Sequence, residues 1–226
     1  MLRAIANLCA FLLLVVWSAC SSSDPTGSDE NTDSVREPRT DTHTYRFNNE
    51  SEIEDWFKRD VGSWWIEQGR LVLEADPNQR VLMDVQSDDG YSGDVDISVD
   101  TQWLSGDGRT SYGVSFRVSR SGQYGFNLYA GQAFSVSRWG GLSGIGGSRP
   151  NIRLVGVTSD STVVVNRGQN KLRVKTEGSR LLFYVNDKMV ADVTDESFKH
   201  GKIGLYVGGN ERVAFDNLVI VNTYTP

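Results

Sequence analysis

From residue 43 to the C-terminus the chain alternates apolar and polar side chains in short segments, and turn signals separate them. Alternation with period two sends successive side chains to opposite faces of an extended strand, so one face packs and the other is wet. The punctuation is explicit: Gln68-Gly69, Asp89-Gly90, Gly106-Asp107-Gly108, Ser121-Gly122, Ala130-Gly131, Glu177-Gly178 and Asn186-Asp187. Strands are expected over 44–47, 64–66, 70–75, 81–85, 93–102, 112–118, 123–129, 133–139, 153–156, 170–176, 180–186, 188–193, 201–207 and 212–221. Many short strands at regular spacing, with hardly any helical periodicity, specify an all-β sandwich or barrel. Two short helical pieces are expected, over 50–55 and 195–199, the second capped by Asp195.

The first 42 residues are of another kind. Arg3 precedes an apolar run over 8–17 (LCAFLLLVVW), too short to span a bilayer and of the length of a signal-peptide core. Trp17-Ser18-Ala19-Cys20 follows and resembles the lipobox of bacterial lipoproteins, with Trp17 where that pattern prefers an aliphatic residue. The resemblance implies a signal peptide over 1–19 and a Cys20 that carries diacyl and palmitate-type chains as the mature N-terminus. Ser21 after the cysteine, rather than Asp, implies the outer membrane under enteric-type sorting. Residues 21–42 hold one apolar side chain, Val35, and cannot bury enough surface to fold. The expected domain plan is therefore 1–19 signal, 20–42 disordered tether and 43–226 folded domain. A tether of this length spans on the order of 25 Å.

The net charge is −6, and removing Arg3 with the leader makes it −7. That balance excludes nucleic acid as a partner and a polybasic grip on anionic lipid. The two cysteines are Cys9 and Cys20, so the mature chain keeps one cysteine, Cys20, and has no internal disulfide. The domain must be stabilised by its core, and a domain of about 180 residues buries roughly 70% of its unfolded surface.

A family resemblance rests on the C-terminal half. Gly168-Gln169-Asn170-Lys171-Leu172-Arg173-Val174 is followed by Leu181-Leu182-Phe183-Tyr184-Val185-Asn186 and Val190-Ala191-Asp192-Val193-Thr194-Asp195. Gly201-Lys202-Ile203-Gly204-Leu205-Tyr206 and Val213-Ala214-Phe215-Asp216-Asn217-Leu218 close it, and Trp65 through Leu73 (WIEQGRLVL) is similar to an N-terminal hairpin of the same group. This pattern resembles the concanavalin A-like lectin/glucanase superfamily, nearest its bacterial laminin-G-like and 3-keto-disaccharide hydrolase-type domains. It implies a jelly-roll β-sandwich of two antiparallel sheets over 43–226. Phe183, Val185, Ile203, Leu205, Val213 and Phe215 are expected in the core, and 44–47 beside 213–220.

In such jelly rolls ligands lie across one concave sheet. Alternation assigns its sides: Val114, Phe116, Val118, Phe126, Leu128, Phe134 and Val136 inward, and Ser115, Arg117, Gly125, Asn127, Tyr129, Ser135, Ser137 and Trp139 outward. The candidate ligand-binding set is Arg117, Asn127, Tyr129, Ser137 and Trp139. An aromatic face stacks on the C–H face of a pyranose, and Arg and Asn hydrogen-bond adjacent hydroxyls. Loop 140–152 is glycine-rich, without the pattern of a phosphate cradle, and is read either as a mobile cover for the face or as a plain connection.

Catalysis has little to work with. The Glu-x-Asp-x-x-Glu run of laminarinase-type glucanases is absent, and a retaining glycosidase needs two carboxylates about 5–5.5 Å apart. The hydrolase-type pattern Asn-Ser-Gly-Ile-x-x-Arg, then Gly-Tyr-Glu-x-Gln, has its counterpart in 111–117 and 123–127. Arg117 matches the arginine, but Gly125 stands for the glutamate and Asn127 for the glutamine. Two histidines, His43 and His200, give neither a zinc site nor a triad. No catalytic residue and no cofactor is assigned; a structural calcium ion on Asp88, Asp89, Asp94, Asp96 and Asp216 stands as a candidate. Three readings result: a membrane-anchored, extracytoplasmic, lectin-like module binding polysaccharide or oligosaccharide; a glycoside hydrolase of the 3-keto-disaccharide type; and an adhesive module binding protein. A carboxylate pair in the groove favours the second and a flat apolar patch the third.

Overall fold

In a computed structural model of the chain, the described residues are 38–59, 62–85, 90–91, 93–140, 142–143, 147–148 and 151–224. The strands in chain order are β1 (Arg39–Tyr45), β2 (Phe57–Arg59), β3 (Gly62–Glu67), β4 (Arg70–Ala75), β5 (Arg80–Asp84) and β6 (Asp94–Gly106). Then come β7 (Ser111–Ser119), β8 (Gly122–Tyr129), β9 (Ala133–Gly140), β10 (Leu142–Ser143), β11 (Gly147–Ser148) and β12 (Ile152–Ser159). β13 (Gln169–Glu177), β14 (Arg180–Val185), β15 (Lys188–Thr194), β16 (Lys202–Gly208) and β17 (Glu211–Tyr224) complete the set. One eight-stranded sheet runs β15-β14-β13-β6-β17-β4-β3, with β1 also on β17. A seven-stranded sheet runs β12-β9-β8-β7-β16-β5-β2, and β10 pairs with β11. All ladders are antiparallel, and the architecture is a jelly-roll sandwich.

The two sheets are sealed by the inward half of each alternating strand. β13 and β6 expose and bury side chains in turn, and Val95, Ile97, Val99, Leu172 and Val174 join one cluster with Phe116, Phe126, Phe183, Leu205 and Phe215. Phe183 of one sheet meets Phe116 and Phe126 of the other with ring centroids 6.0 and 5.1 Å away, pinning the sheets together. All six residues expected in the core are at most 1% exposed. Chain ends pair as expected: Thr44 lies opposite Val219 and Tyr45 opposite Leu218.

Some elements differ from the sequence reading. Pairing of β1 begins at Arg39, inside the stretch read as tether, because β17 runs on to Tyr224 and offers it an edge. The short β2 carries no alternation long enough to read. Over 50–55 the helical piece is a single 3-10 turn, Glu50–Ile53, whose Asn49 cap accepts from the Ser51 N–H. Residues 195–199 form no helix. Asp195 Oδ1 accepts from the Ser197 N–H at 2.9 Å, as a capping aspartate would, but its carboxylate is also held by the Tyr124 hydroxyl at 2.6 Å and by Arg138 at 2.7 Å. Those ties fix an irregular strap across the end of the sandwich. Of loop 140–152, β10 and β11 form a two-residue ladder, and the reading of its mobility falls largely outside the described residues. The signal, Cys20 and most of the tether also fall outside them.

Candidate functional site

The outer face of the seven-stranded sheet follows from register. One row across it reads Asp84, Gly204, Ser115, Gly125, Ser137 and Arg153; the next reads Leu82, Tyr206, Gly113, Asn127 and Ser135. Trp139 lies opposite Gln123 in the adjoining row. In the first row small residues thus occupy the middle of the sheet and charged ones its flanks. The glycines are required by contact. A Cβ on Gly125 would overlap the Trp139 ring, and one on Gly204 would lie 2.7 Å from Asp84 Oδ1. Trp139 therefore lies across the sheet over Gly125, with its ring edge-on to Tyr206 at 5.7 Å and the Arg80 guanidinium 5.9 Å from its centre.

Beneath that ring the polar groups satisfy one another. Asn127 donates through Nδ2 to Ser135 Oγ at 2.9 Å and to Ser137 Oγ at 3.2 Å. Its Oδ1 accepts from the Tyr206 hydroxyl, which also has Ser111 Oγ at 3.4 Å. Tyr129 reaches Ser135 Oγ at 3.3 Å, and Gln123 donates to Ser115 Oγ at 3.3 Å. Burial pushes the Tyr206 phenol well above its usual range, so it remains a neutral donor. Ser115, Ser135, Asn127 and Ser137 are buried, whereas Tyr129 and Trp139 keep exposed surface.

Of the expected ligand-binding residues, the structure brings Asn127, Tyr129, Ser137 and Trp139 together. Asn127 and Ser137 lie in the hydrogen-bonded network, and Trp139 lies over it with part of its surface exposed. Arg117 is elsewhere. Ser115 faces Gly204 and Val118 faces Lys202, so Phe116 and Arg117 share the space opposite Ile203. This bulge puts Arg117 at φ 51° and interrupts the alternation, sending its side chain to the end of the sandwich. There it donates to the Phe198 carbonyl at 2.9 Å and to the Gly178 carbonyl at 2.8 Å. By the same shift Val118, expected inward, joins the outer row beside Lys202 and stays out of the core cluster.

Register adds residues that the strand-by-strand reading passed over: Asp84, Tyr206, Gln123 and Arg80. Asp84 is fully buried and is the one carboxylate that the strands of this sheet place on the outer face, among the described residues. It stands three strands from Gly125, on the order of 14 Å. Its signal was the alternation of 80–84, legible only once β5 is known to flank β16. As for calcium, Asp88 and Asp89 lie outside the described residues. Asp96 pairs with Arg173, Asp94 accepts from the Gly178 N–H, and Asp216 accepts from the Asn217 N–H. Among the described residues no three His, Cys, Asp or Glu side chains gather as a metal site.

Solved structures share this fold. The carbohydrate binding module CBM66 from Bacillus subtilis aligns with 74% of this chain and 94% of its own at 19% identity, with a TM-score of 0.57. A Bacillus subtilis protein of unknown function with a galectin-like fold covers 81% and 96% at 8% identity, TM-score 0.64. The laminarinase catalytic domain of Thermotoga maritima covers 81% and 97% at 10% identity, TM-score 0.57. No curated protein matches this chain in sequence. A family model does match, over residues 43–221, and by it the chain belongs to the 3-keto-alpha-glucoside-1,2-lyase-like domain family.

Proposed function

We propose that this domain is a non-catalytic glycan-binding module held outside the cytoplasm by an acylated Cys20. The observation that carries the reading is the Trp139 ring laid over Gly125. The hydrolase-type pattern has a glutamate at that position, and here an aromatic platform occupies its space. A sugar ring stacks on the open part of Trp139, with Gln123, Arg80 and Arg153 as hydrogen-bonding neighbours. The Asn127–Tyr206–Ser135–Ser137 network underneath keeps the platform in place, so little ordering is needed on binding. The names of two structural neighbours, a carbohydrate binding module and a laminarinase, support a carbohydrate ligand. A hydrolase on this face would have Asp84 but no second strand carboxylate, among the described residues, at the spacing a retaining or inverting reaction needs.

The test is affinity electrophoresis of the protein through gels containing single polysaccharides, with Trp139→Ala in parallel. Retardation by a defined polysaccharide, lost in the variant, supports the module; a folded wild-type protein that no polysaccharide retards refutes it. The anchor is supported by the apolar run over 8–17 and the small residues before Cys20. Its test is membrane fractionation of Cys20→Ser, which is expected to release the protein to the soluble fraction. A cysteine variant that still sediments with membrane rules the anchor out.

A further inference from the structure

At the end of the sandwich the bulge of β7, the start of β6, the β13–β14 turn and the strap over 195–199 enclose a cavity of ≈ 450 Å³. That lies within the roughly 300–1,000 Å³ of small-molecule sites. Its lining includes Arg117, Asp94, Ser179, Phe198, Glu196 and Lys199. Arg117 is 5% exposed, a charge withdrawn from water, and burial lowers its pKa. Asp94 stands with Oδ1 3.9 Å from Arg117 Nη2, too far for the two to hydrogen-bond. Each instead grips the turn: Oδ1 accepts from the Gly178 N–H at 2.7 Å, and Nη2 donates to the Gly178 carbonyl. Asp94 Oδ2 takes part in no hydrogen bond among the described residues. A charged donor and a charged acceptor are thus fixed side by side in one recess.

We propose that this cavity is a second carbohydrate subsite, which takes the neutral end of a sugar chain while Trp139 holds a more interior residue. The inference rests on the glycan-binding reading above. Charge selects the class. Asp195 is neutralised by Arg138 at 2.7 Å, and Asp94 and Glu196 are balanced by Arg117 and Lys199. Neither an anion nor a cation has an advantage there. An apolar ligand would cover Asp94 Oδ2 and the remaining Arg117 N–H groups without giving them partners. A hydroxyl group can donate to Asp94 and accept from Arg117 at once, and adjacent hydroxyls on one ring can serve both. Arg117 is the most buried charged group of the lining, so the end of a sugar chain suits the recess better than a chain running past it.

The experiment uses the full chain, ¹⁵N-labelled in detergent micelles, titrated with methyl α-D-glucoside, sucrose and trehalose, and separately with a polysaccharide that the gels select. Short saccharides are expected to move the Gly178 amide and the Arg117 Nε–H resonance. Ser179→Trp is expected to fill the recess and abolish those shifts, with the remaining spectrum unchanged as proof of folding. Asp94→Asn, which keeps an acceptor for the Gly178 N–H, is expected to weaken binding about tenfold. Trp139→Ala is expected to leave the Gly178 shift intact. If short saccharides move only Gln123 and Trp139, or if the Gly178 shift survives Ser179→Trp, the end subsite is wrong and the glycan reading stands. If neither saccharides nor polysaccharide move any resonance, both fall.

Discussion

The two sheets of this sandwich solve the problem of the outer face in opposite ways. On the eight-stranded sheet, β13 alternates buried and part-exposed residues along its length, and the outward set is charged: Arg173 on Asp96, Arg180 on Asp192, Lys175 on Glu177. On the seven-stranded sheet, the middles of β7, β8 and β16 are buried on both sides, and the outward residues there are Gly, Ser, Asn and Tyr. A solvated face needs only polar side chains and tolerates substitution. A covered face must have each polar group paired, or it costs desolvation. The difference marks where a site can form: on the face whose middle is shut off from water and keeps an aromatic ring above a hydrogen-bonded floor.

The largest expected break is Gly125→Glu. It restores the carboxylate of the hydrolase-type pattern but drives the side chain into the Trp139 ring. Destabilisation of about 3 kcal/mol is expected from overpacking and burial of charge, with loss of polysaccharide retardation and a red shift of tryptophan emission. The same residue placed at Ser98, beside Arg173 on the other sheet, is expected within about 0.5 kcal/mol of wild type. Urea unfolding of the two variants side by side decides it; equal midpoints would show that the two faces do not differ. Next is Asn127→Leu. It removes the amide that joins the Tyr206 hydroxyl to Ser135 and Ser137 and is expected to cost about 2 kcal/mol. Polysaccharide binding is expected to weaken with it, because Trp139 loses its support.

This contrast also explains what could be read in advance. The solvated sheet was legible strand by strand, since 170–176 and 180–186 alternate cleanly and Phe183, Val185 and Phe215 fell in the core as their period required. The covered sheet was legible in its strands and in the grouping of Asn127, Tyr129, Ser137 and Trp139. What each of those residues does there was not legible: alternation gives direction, and hydrogen-bond partners are set by cross-strand neighbours. Tyr206 and Asp84 belong to strands far along the chain, so pairing alone brings them in. Arg117 was misdirected because a one-residue bulge reverses alternation without any mark in composition. The strap over 195–199 failed as a helix because tertiary bonds to Asp195 outweighed its local preference.

A smaller effect tests an exception on the solvated sheet. Glu211, at the start of β17, is 1% exposed and accepts from the Trp103 indole N–H at 2.6 Å. Burial, aided by the neighbouring Asp107, raises its pKa, while Asp107 is exposed and stays ionised, held low by the Arg109 N–H. A raised carboxyl contributes stability that is complete below its unfolded value and is lost as pH rises through the folded one. Asp107 acts in the opposite sense and at lower pH. Glu211→Gln keeps the neutral form at every pH, so its Tm is expected to match wild type near pH 4 and to exceed it by a growing margin toward pH 8. A constant margin across that range would mean that Glu211 is ionised in the fold.

The smallest expected effect is on the ion pairs themselves. Arg173 holds Asp96 with two contacts, 2.7 and 2.5 Å, and also sits 5.4 Å from the Tyr184 ring. Its side chain is 40% exposed, so solvent screens the pair. Arg173→Met keeps the stem that covers the sheet and removes the charge. The cost is expected to be about 0.5 kcal/mol in low salt and to vanish toward 1 M salt. Chemical unfolding in urea, which carries no charge of its own, reads it directly. A loss near that of Asn127→Leu, insensitive to salt, would mean that the charged face depends on its pairings no less than the covered one does. The distinction between a solvated sheet and a site-bearing one would then no longer hold.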